Sequence, residues 1–198
     1  FGETGTARAK IIQKLLDITG IKERRYVTED LLTSDIAAMA AEKALENIDR
    51  ESLDYIVVAQ NLGEVRAENP RTDIVPSVAS RVKHKLKIKN PYTVCFDLPF
   101  GCPGWLQGTI LADYFIKSGD ASRVLVVGAE ILSRVADPHD LDCMIFADGA
   151  GAAVLEATRE PDVGIVSHVT RSDTLKEAYL LRMGKSYNPK VPEKELFI

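Results

Sequence analysis

The chain has 198 residues, of which 45% are hydrophobic and 27% charged, and its formal net charge is −4. This composition is typical of an ordinary globular protein, and the negative charge argues against a general binder of nucleic acid or membrane surfaces. No apolar run approaches the roughly 20 residues that span a bilayer. The three cysteines and three histidines have unrelated spacings, which predicts no disulfide framework and no metal site.

Apolar periodicity, together with start and stop residues, predicts four helices. The first ends at Thr19-Gly20, where glycine suits the left-handed position after a helix. The second begins after an N-cap at Ser34-Asp35, and the third begins at Pro76. The predicted helices cover residues 7–18, 36–48, 77–86 and 103–116.

Short apolar runs predict the strands of a buried sheet. Residues 124–127 are wholly apolar, which indicates a strand covered on both faces. Residues 144–147 and 152–156 are predicted to pair as two strands around a turn at residues 148–151. Strands that alternate with helices predict an α/β layered sheet. The other predicted strands cover residues 53–59, 92–98, 123–128 and 163–170.

The most informative feature is Cys102, which lies in a turn rich in glycine and proline between a predicted strand and a predicted helix. Unpaired N–H groups and the positive end of the helix dipole favour a thiolate there, and Pro103 suits the first helical position. This environment predicts a nucleophile. Cysteine is more often an inert core residue, which is the prediction for Cys95 and Cys143, and for Cys102 the turn alone leaves both alternatives open.

The predicted helix after Cys102 is apolar around most of its circumference, so it must be enclosed on all sides. Because one sheet covers only one side of a helix, we predict a second layer, supplied by the rest of the protein or by another subunit. The apolar positions are Trp105, Leu106, Ile110, Leu111, Tyr114, Phe115 and Ile116.

Six segments of the chain occur in the order in which a known family carries them. They are Thr19–Arg25, Leu53–Ala59, Val75–Ser77, Phe96–Gly104, Leu125–Arg134 and Phe146–Ala152. Together they resemble the amino-terminal half of a β-ketoacyl-(acyl carrier protein) synthase III, a member of the thiolase-like superfamily. The resemblance extends to about Leu181, and the collinear combination is specific although no single segment is.

The resemblance implies a thiolase-like layered α/β fold, with a mixed sheet and a buried central helix after the nucleophile. Residues 1–182 would form the amino-terminal half of this fold. Residues 183–198 would form a polar, mobile connector that ends in the first turn of the next helix. We therefore expect the chain to be a fragment from which the carboxyl-terminal half is absent.

The family mechanism implies that Cys102 accepts an acyl group from a thioester. A decarboxylative Claisen condensation with malonyl-(acyl carrier protein) would follow, in fatty acid or related biosynthesis. The catalytic His and Asn of the family would lie beyond Ile198, so we expect this fragment alone to be inactive. We expect a cytoplasmic homodimer with acyl carrier protein and an acyl thioester as partners, no cofactor or metal, and no nucleic acid or membrane.

The resemblance also implies an acyl-binding surface near the nucleophile. Leu132 and Phe146 match positions near the acyl channel, and Gly104 is one of the small residues retained around the thiol. Val75 matches an aromatic gate at the dimer edge and is smaller, which would admit a longer acyl group. Positions where better-known members grip coenzyme A with a Trp and two Arg lack those residues, so priming by acetyl-coenzyme A is not implied.

Other functions stay open at this point. One alternative is a type III-like polyketide or alkylresorcinol synthase, or another cysteine acyltransferase built on the same fold. A second is a non-catalytic homologue that serves in dimerisation or binding, and a third is an unrelated α/β ligand-binding domain.

Two groups of basic residues have both a functional and a structural interpretation. The cluster at residues 81–89 could dock an acidic carrier protein, but we favour a solvated helix face with cations near its carboxyl end. Arg24 and Arg25 could meet a phosphate, but we favour a structural ion pair with Glu23 or Asp30.

Overall fold

The computed structural model describes residues 5–69, 71–192 and 196–197. Within these residues the chain forms α-helices on both faces of a four-stranded sheet, which confirms the α/β class. The helices are α1 (Gly5–Thr19), α2 (Thr33–Ala44), α3 (Val78–Lys85) and α4 (Gly104–Ser118). The strands are β1 (Tyr55–Ala59), β2 (Glu64–Val65), β3 (Thr72–Asp73), β4 (Val94–Leu98), β5 (Arg123–Ile131), β6 (Asp148–Glu156), β7 (Gly184–Lys185) and β8 (Leu196–Phe197).

The main sheet has the strand order β4-β1-β5-β6 and is mixed. Strands β4, β1 and β5 are parallel, with Val57 of β1 level with Phe96 on one side and Val126 on the other. Strand β6 is antiparallel to β5 along nine residue pairs. The carboxyl ends of β4, β1 and β5 consequently meet at one edge of the sheet.

Helices cover both faces of this sheet. On one face, α2 and α3 bury Ala37, Ala41 and Val82 against Ile56 and neighbouring strand residues. On the other face, α4 packs on β1 and β5. The core strands are therefore covered on both faces, as the wholly apolar run of β5 predicts.

Helix α4 approaches the sheet closely because it carries glycine at the contact. A β-carbon on Gly108 would lie 2.9 Å from Val126 Cγ1, closer than real β-carbons approach another atom, and in ordinary contact at 3.5 Å with Val57 Cγ1. The opposite face of α4 stays partly open, since Trp105, Leu106 and Tyr114 are about half exposed. On the side away from the sheet, residues 165–168 contact α4, with His168 edge-on against Tyr114 and the Ile165 carbonyl accepting from Lys117 at 3.2 Å. A complete second layer stays a prediction.

The helix boundaries largely agree with the predictions. Gly20 has a φ of +67° and donates its N–H to the Leu16 carbonyl at 2.8 Å, as predicted for the end of α1. The predicted N-cap at Ser34-Asp35 is wrong, because α2 begins at Thr33. Asp35 instead acts from inside the first turn, where its carboxylate accepts the Leu32 N–H at 2.8 Å.

Two strand predictions are wrong. Residues 144–147 do not pair with 152–156, because Leu141–Ile145 is a 3₁₀-helix and β6 runs straight through the glycines at 148–151. Residues 163–170 form no strand in the structure as described, and Val166 and Val169 are almost fully exposed. A strand needs a neighbouring ladder to satisfy its backbone, and in the described chain these residues have none.

The predicted helical turn at the end of the chain is also wrong at residues 196–197, which the structure describes. Leu196–Phe197 forms β8, which pairs antiparallel with Gly184–Lys185 inside the predicted connector. The rest of that prediction, at residues 193–195 and 198, lies outside the described residues. In the portion that the structure covers, no helix is both long enough and apolar enough to cross a membrane.

Candidate active site

Three polar or reactive groups meet at the carboxyl edge of the parallel strands. Cys102 follows β4, Asn61 follows β1, and Glu130 lies near the end of β5. In open α/β sheets, ligand sites lie in the crevice at this edge. The sheet order therefore places the predicted nucleophile where a substrate site is expected.

Cys102 is exposed and precedes α4 by two residues. The N-cap is Pro103, so the prediction that Pro103 is the first helical residue, with the thiol in the first turn, is wrong by one position. The reason is a tight turn that comes before the helix. Gly101 adopts a φ of +70° and its carbonyl accepts the Gly104 N–H at 3.0 Å. The thiol nevertheless lies beside the amino-terminal end of α4.

The other two cysteines differ from Cys102 in environment. Cys95 lies in β4, and burial raises the pKa of its thiol above the ordinary value. Burial also raises the pKa of Cys143, with the nearby carboxylates of Asp140 and Asp137 adding to the effect. Cys143 lies in a 3₁₀-helix, directly before residues 144–147, which do not form the predicted strand. Both thiols favour the unreactive protonated form, whereas Cys102 faces solvent.

Asn61 connects the three strand ends through hydrogen bonds. Its side-chain oxygen accepts the Gly101 N–H at 2.8 Å, and its side-chain nitrogen donates to Glu130 Oε2 at 2.9 Å. The backbone N–H of Asn61 donates to the same Glu130 oxygen at 2.8 Å. Neither Asn61 nor Glu130 is among the site residues predicted from the sequence. The signal that could have found them is their position, since each is polar and lies at the carboxyl end of a buried parallel strand.

The end of β4 has a second anchor in Asp97. Its two carboxylate oxygens accept the backbone N–H groups of Val78 and Ala79, at 2.8 and 2.7 Å, at the start of α3. The Gln60 side chain donates to Asp97 at 3.0 Å. A carboxylate at a helix amino terminus satisfies free N–H groups and complements the dipole, so α3 and the strand before Cys102 are fixed together.

The predicted substrate-binding residues lie on separate segments. Gly104 is buried against β1, where an added β-carbon would lie 3.0 Å from the Ala59 β-carbon. Leu132 packs against a small cluster that includes Leu62. Phe146 is half-buried after a 3₁₀-helix, and Val75 is 78% exposed. Their part in acyl binding stays a prediction.

The basic groups mostly have partners inside the chain. Arg25 pairs with Glu23 at 3.0 Å, as predicted, on the exposed surface. In the cluster at 81–89, Arg81 pairs with Asp73 and Lys85 with Asp35. Lys83 donates to two backbone carbonyls, those of Asn90 and Thr93. These contacts agree with the structural interpretation, except that Arg24 donates to the Ile21 carbonyl at 3.2 Å and forms no ion pair with Glu23 or Asp30 in the described chain.

Known proteins are similar to this chain in sequence. The sequence model of the family described as 3-oxoacyl-[acyl-carrier-protein (ACP)] synthase III matches residues 96–174. The β-ketoacyl-[acyl-carrier-protein] synthase III of Ehrlichia canis is 41% identical over 174 residues, which are 86% of this chain and 51% of that protein.

Solved structures of similarly named proteins match the fold. The 3-oxoacyl-[acyl-carrier-protein] synthase III of Aquifex aeolicus superposes with a TM-score of 0.65 at 37% identity, over 74% of this chain and 46% of that one. The FabH protein of Pseudomonas aeruginosa gives a TM-score of 0.73 at 26% identity, over 94% of this chain and 54% of its own. The chain therefore spans about half the length of the relatives that it matches.

Proposed function

Because this chain belongs to the β-ketoacyl-(acyl carrier protein) synthase III family and corresponds to its amino-terminal half, we propose that the protein is a condensing acyltransferase of fatty acid synthesis. The observation that carries the proposal is the exposed Cys102 thiol at the carboxyl edge of β4, β1 and β5, beside the amino-terminal end of α4. Exposure gives a thioester access to the sulfur, and the unpaired N–H groups of the helix end favour negative charge there.

In the first step, the Cys102 thiolate attacks the carbonyl carbon of an acyl thioester. A C–S bond forms to Cys102, the bond to the donor sulfur breaks, and the donor leaves as a thiolate that takes up a proton. In this proposal, the Cys102 backbone N–H donates a hydrogen bond to the transient oxyanion. Such a contact typically stabilises the transition state by about 3 kcal/mol. The chemistry needs a thiol and two thioesters, and the proposal includes no cofactor or metal.

In the second step, malonyl-(acyl carrier protein) loses carbon dioxide and the resulting carbanion attacks the acyl group on Cys102. A C–C bond forms, the C–S bond breaks, and the Cys102 thiolate returns. The His and Asn that the family uses for decarboxylation belong, in this proposal, to sequence beyond Ile198. Acyl carrier protein is accordingly a partner in this step.

The proposal includes a homodimer and a cytoplasmic location. Strand β4 is an edge strand, and Val94 at its start is about half exposed, so a second copy could pair along it. The three free thiols suit a reducing compartment. Sedimentation velocity tests the dimer, and a monomer at micromolar concentration would contradict it.

The test of the proposed function is the mass of the acyl group left on Cys102. The protein is incubated with acetyl- and longer acyl-coenzyme A and with acyl-(acyl carrier protein), without malonyl donor, and its mass is measured before and after proteolysis. We expect one added acyl group on the Cys102 peptide, none in Cys102→Ala, and unchanged loading in Cys95→Ala. No acylation by any donor would favour the non-catalytic alternative.

The same measurement separates the related synthases. With malonyl donor added to protein that includes the proposed sequence beyond Ile198, a synthase III releases a product extended by one two-carbon unit. A polyketide-type enzyme would release products that carry several such units. The mass of the released acyl product therefore distinguishes the two.

A further inference from the structure

The turn that carries Cys102 is held by its neighbour Gly101. The Gly101 N–H is bound by the Asn61 side-chain oxygen at 2.8 Å, and the Gly101 carbonyl is bound by the Gly104 N–H at 3.0 Å. Because a peptide unit is planar, the Gly101 carbonyl and the Cys102 N–H lie in one rigid plane. Fixing Gly101 at both its polar groups therefore fixes the direction of the Cys102 N–H.

Asn61 can hold Gly101 because its own position is fixed. Its side-chain nitrogen and its backbone N–H both donate to Glu130 Oε2, at 2.9 and 2.8 Å. The bond to Glu130 also decides which way the amide faces, since a carboxylate only accepts from an N–H donor. The amide oxygen is consequently turned toward Gly101.

Placing the Glu130 carboxylate at this site costs folding free energy, because part of it is removed from water. One of its oxygens, Oε1, is buried without a hydrogen-bond partner among the described residues. Burial raises the pKa of its carboxyl group, while the two Asn61 donors and, more weakly, the backbone N–H groups of Ile131 and Leu62 act in the opposite direction. A partly buried carboxylate with one unpaired oxygen adds little to stability, which points to a role other than stabilising the fold.

We infer that Asn61 and Glu130 are positioning residues, which join the ends of β4, β1 and β5 and hold the Cys102 turn in its acyl-accepting geometry through the Gly101 N–H. This inference rests on the proposed function of Cys102. Misplacement of a reacting group by about 1 Å typically lowers a rate by about 100-fold. Loss of the Asn61 contact should therefore slow acylation of Cys102.

The experiment compares Asn61→Ala, Glu130→Ala and Glu130→Gln in the full chain, with Asn69→Ala as the matched control. Asn69 lies in the loop between β2 and β3, and among the described residues its side-chain oxygen accepts the nearby Arg71 N–H, at 3.3 Å. Two quantities are measured: hydrogen exchange of the Gly101 amide, and the rate of Cys102 acylation as a function of pH.

In Asn61→Ala we expect Gly101 exchange to accelerate, and acylation to slow, by about tenfold or more. Glu130→Ala should change both in the same direction. Glu130→Gln keeps an acceptor oxygen for Asn61, so both rates should stay within about threefold of the wild type. Asn69→Ala should match the wild type. A structural role alone would not predict rescue by the glutamine variant.

The inference is overturned if Asn61→Ala and Asn69→Ala give the same Gly101 exchange and the same acylation rate. Should Asn61→Ala fail to fold, the comparison of Glu130→Ala with Glu130→Gln carries the test, and equal acylation rates in these two variants overturn it. If wild-type Cys102 accepts no acyl group, the proposed function fails. Faster Gly101 exchange in Asn61→Ala would then still support the positioning of the turn.

Discussion

At the scale of single residues, the site depends on polar contacts whose partners are far apart in sequence. Asn61 lies 40 residues before Gly101 and 69 before Glu130. The sequence predicts Cys102 as a candidate because a local turn marks it. It does not predict the contacts of Asn61, because the strand order that places β1 between β4 and β5 is not a local property.

Glu130 gives a prediction on stability as a function of pH. Burial raises its pKa in the folded state, so the stability it contributes is complete below the unfolded value near 4.5 and is lost as pH rises through the folded pKa. Glu130→Gln does not titrate. We expect its melting temperature to exceed that of the wild type at pH 8, by a margin that shrinks toward pH 4.

Calorimetry at several pH values checks this expectation. Glu42→Gln serves as a control, since Glu42 lies on the exposed face of α2. A margin for Glu130→Gln that grows as pH falls would contradict the sign of the pKa shift.

At the scale of elements, close packing of α4 on the sheet places Cys102. Gly108→Ala should destabilise the protein by up to about 2 kcal/mol, because the clash with Val126 outweighs the roughly 1 kcal/mol gained in helix propensity. Gln107→Ala, one residue earlier in α4, lacks this clash. Urea unfolding measures both variants, and a Gly108→Ala protein more stable than the wild type would show that α4 can move away freely.

Local signals in the sequence explain which of these elements can be predicted. Helices α3 and α4 and strands β1, β4 and β5 carry local signals, in apolar runs and in turn residues such as Ser77 at the start of α3. The glycines at residues 148–151 predict a turn before the strand at 152–156, but pairing with β5 along all of β6 outweighs their local preference. Residues 163–170 are the opposite case. They have the apolar composition of a strand, but in the described chain no neighbouring strand pairs with them.

At the scale of the whole molecule, the described chain leaves apolar surface uncovered. Leu106 and Tyr114 are exposed on α4, and Phe100 lies beside the Cys102 turn. Soluble proteins seldom leave large apolar patches exposed, which agrees with the second layer predicted from the sequence.

The single tryptophan, Trp105, reports on this surface because it is 41% exposed. We expect its fluorescence in the 198-residue chain to be quenched readily by acrylamide. Binding of a covering layer should reduce the quenching constant and shift the emission to shorter wavelength. Emission that is already fully shielded in the chain alone would contradict the exposed face of α4.

The most direct test of the account is whether a thioester donor protects Cys102 from alkylation. The protein is treated with acyl thioester, then with iodoacetamide, and each cysteine peptide is quantified by mass spectrometry. We predict that preloading protects Cys102 alone and that hydroxylamine, which cleaves thioesters, restores its alkylation. Alkylation of Cys102 that is unaffected by every acyl donor would contradict its role as the nucleophile.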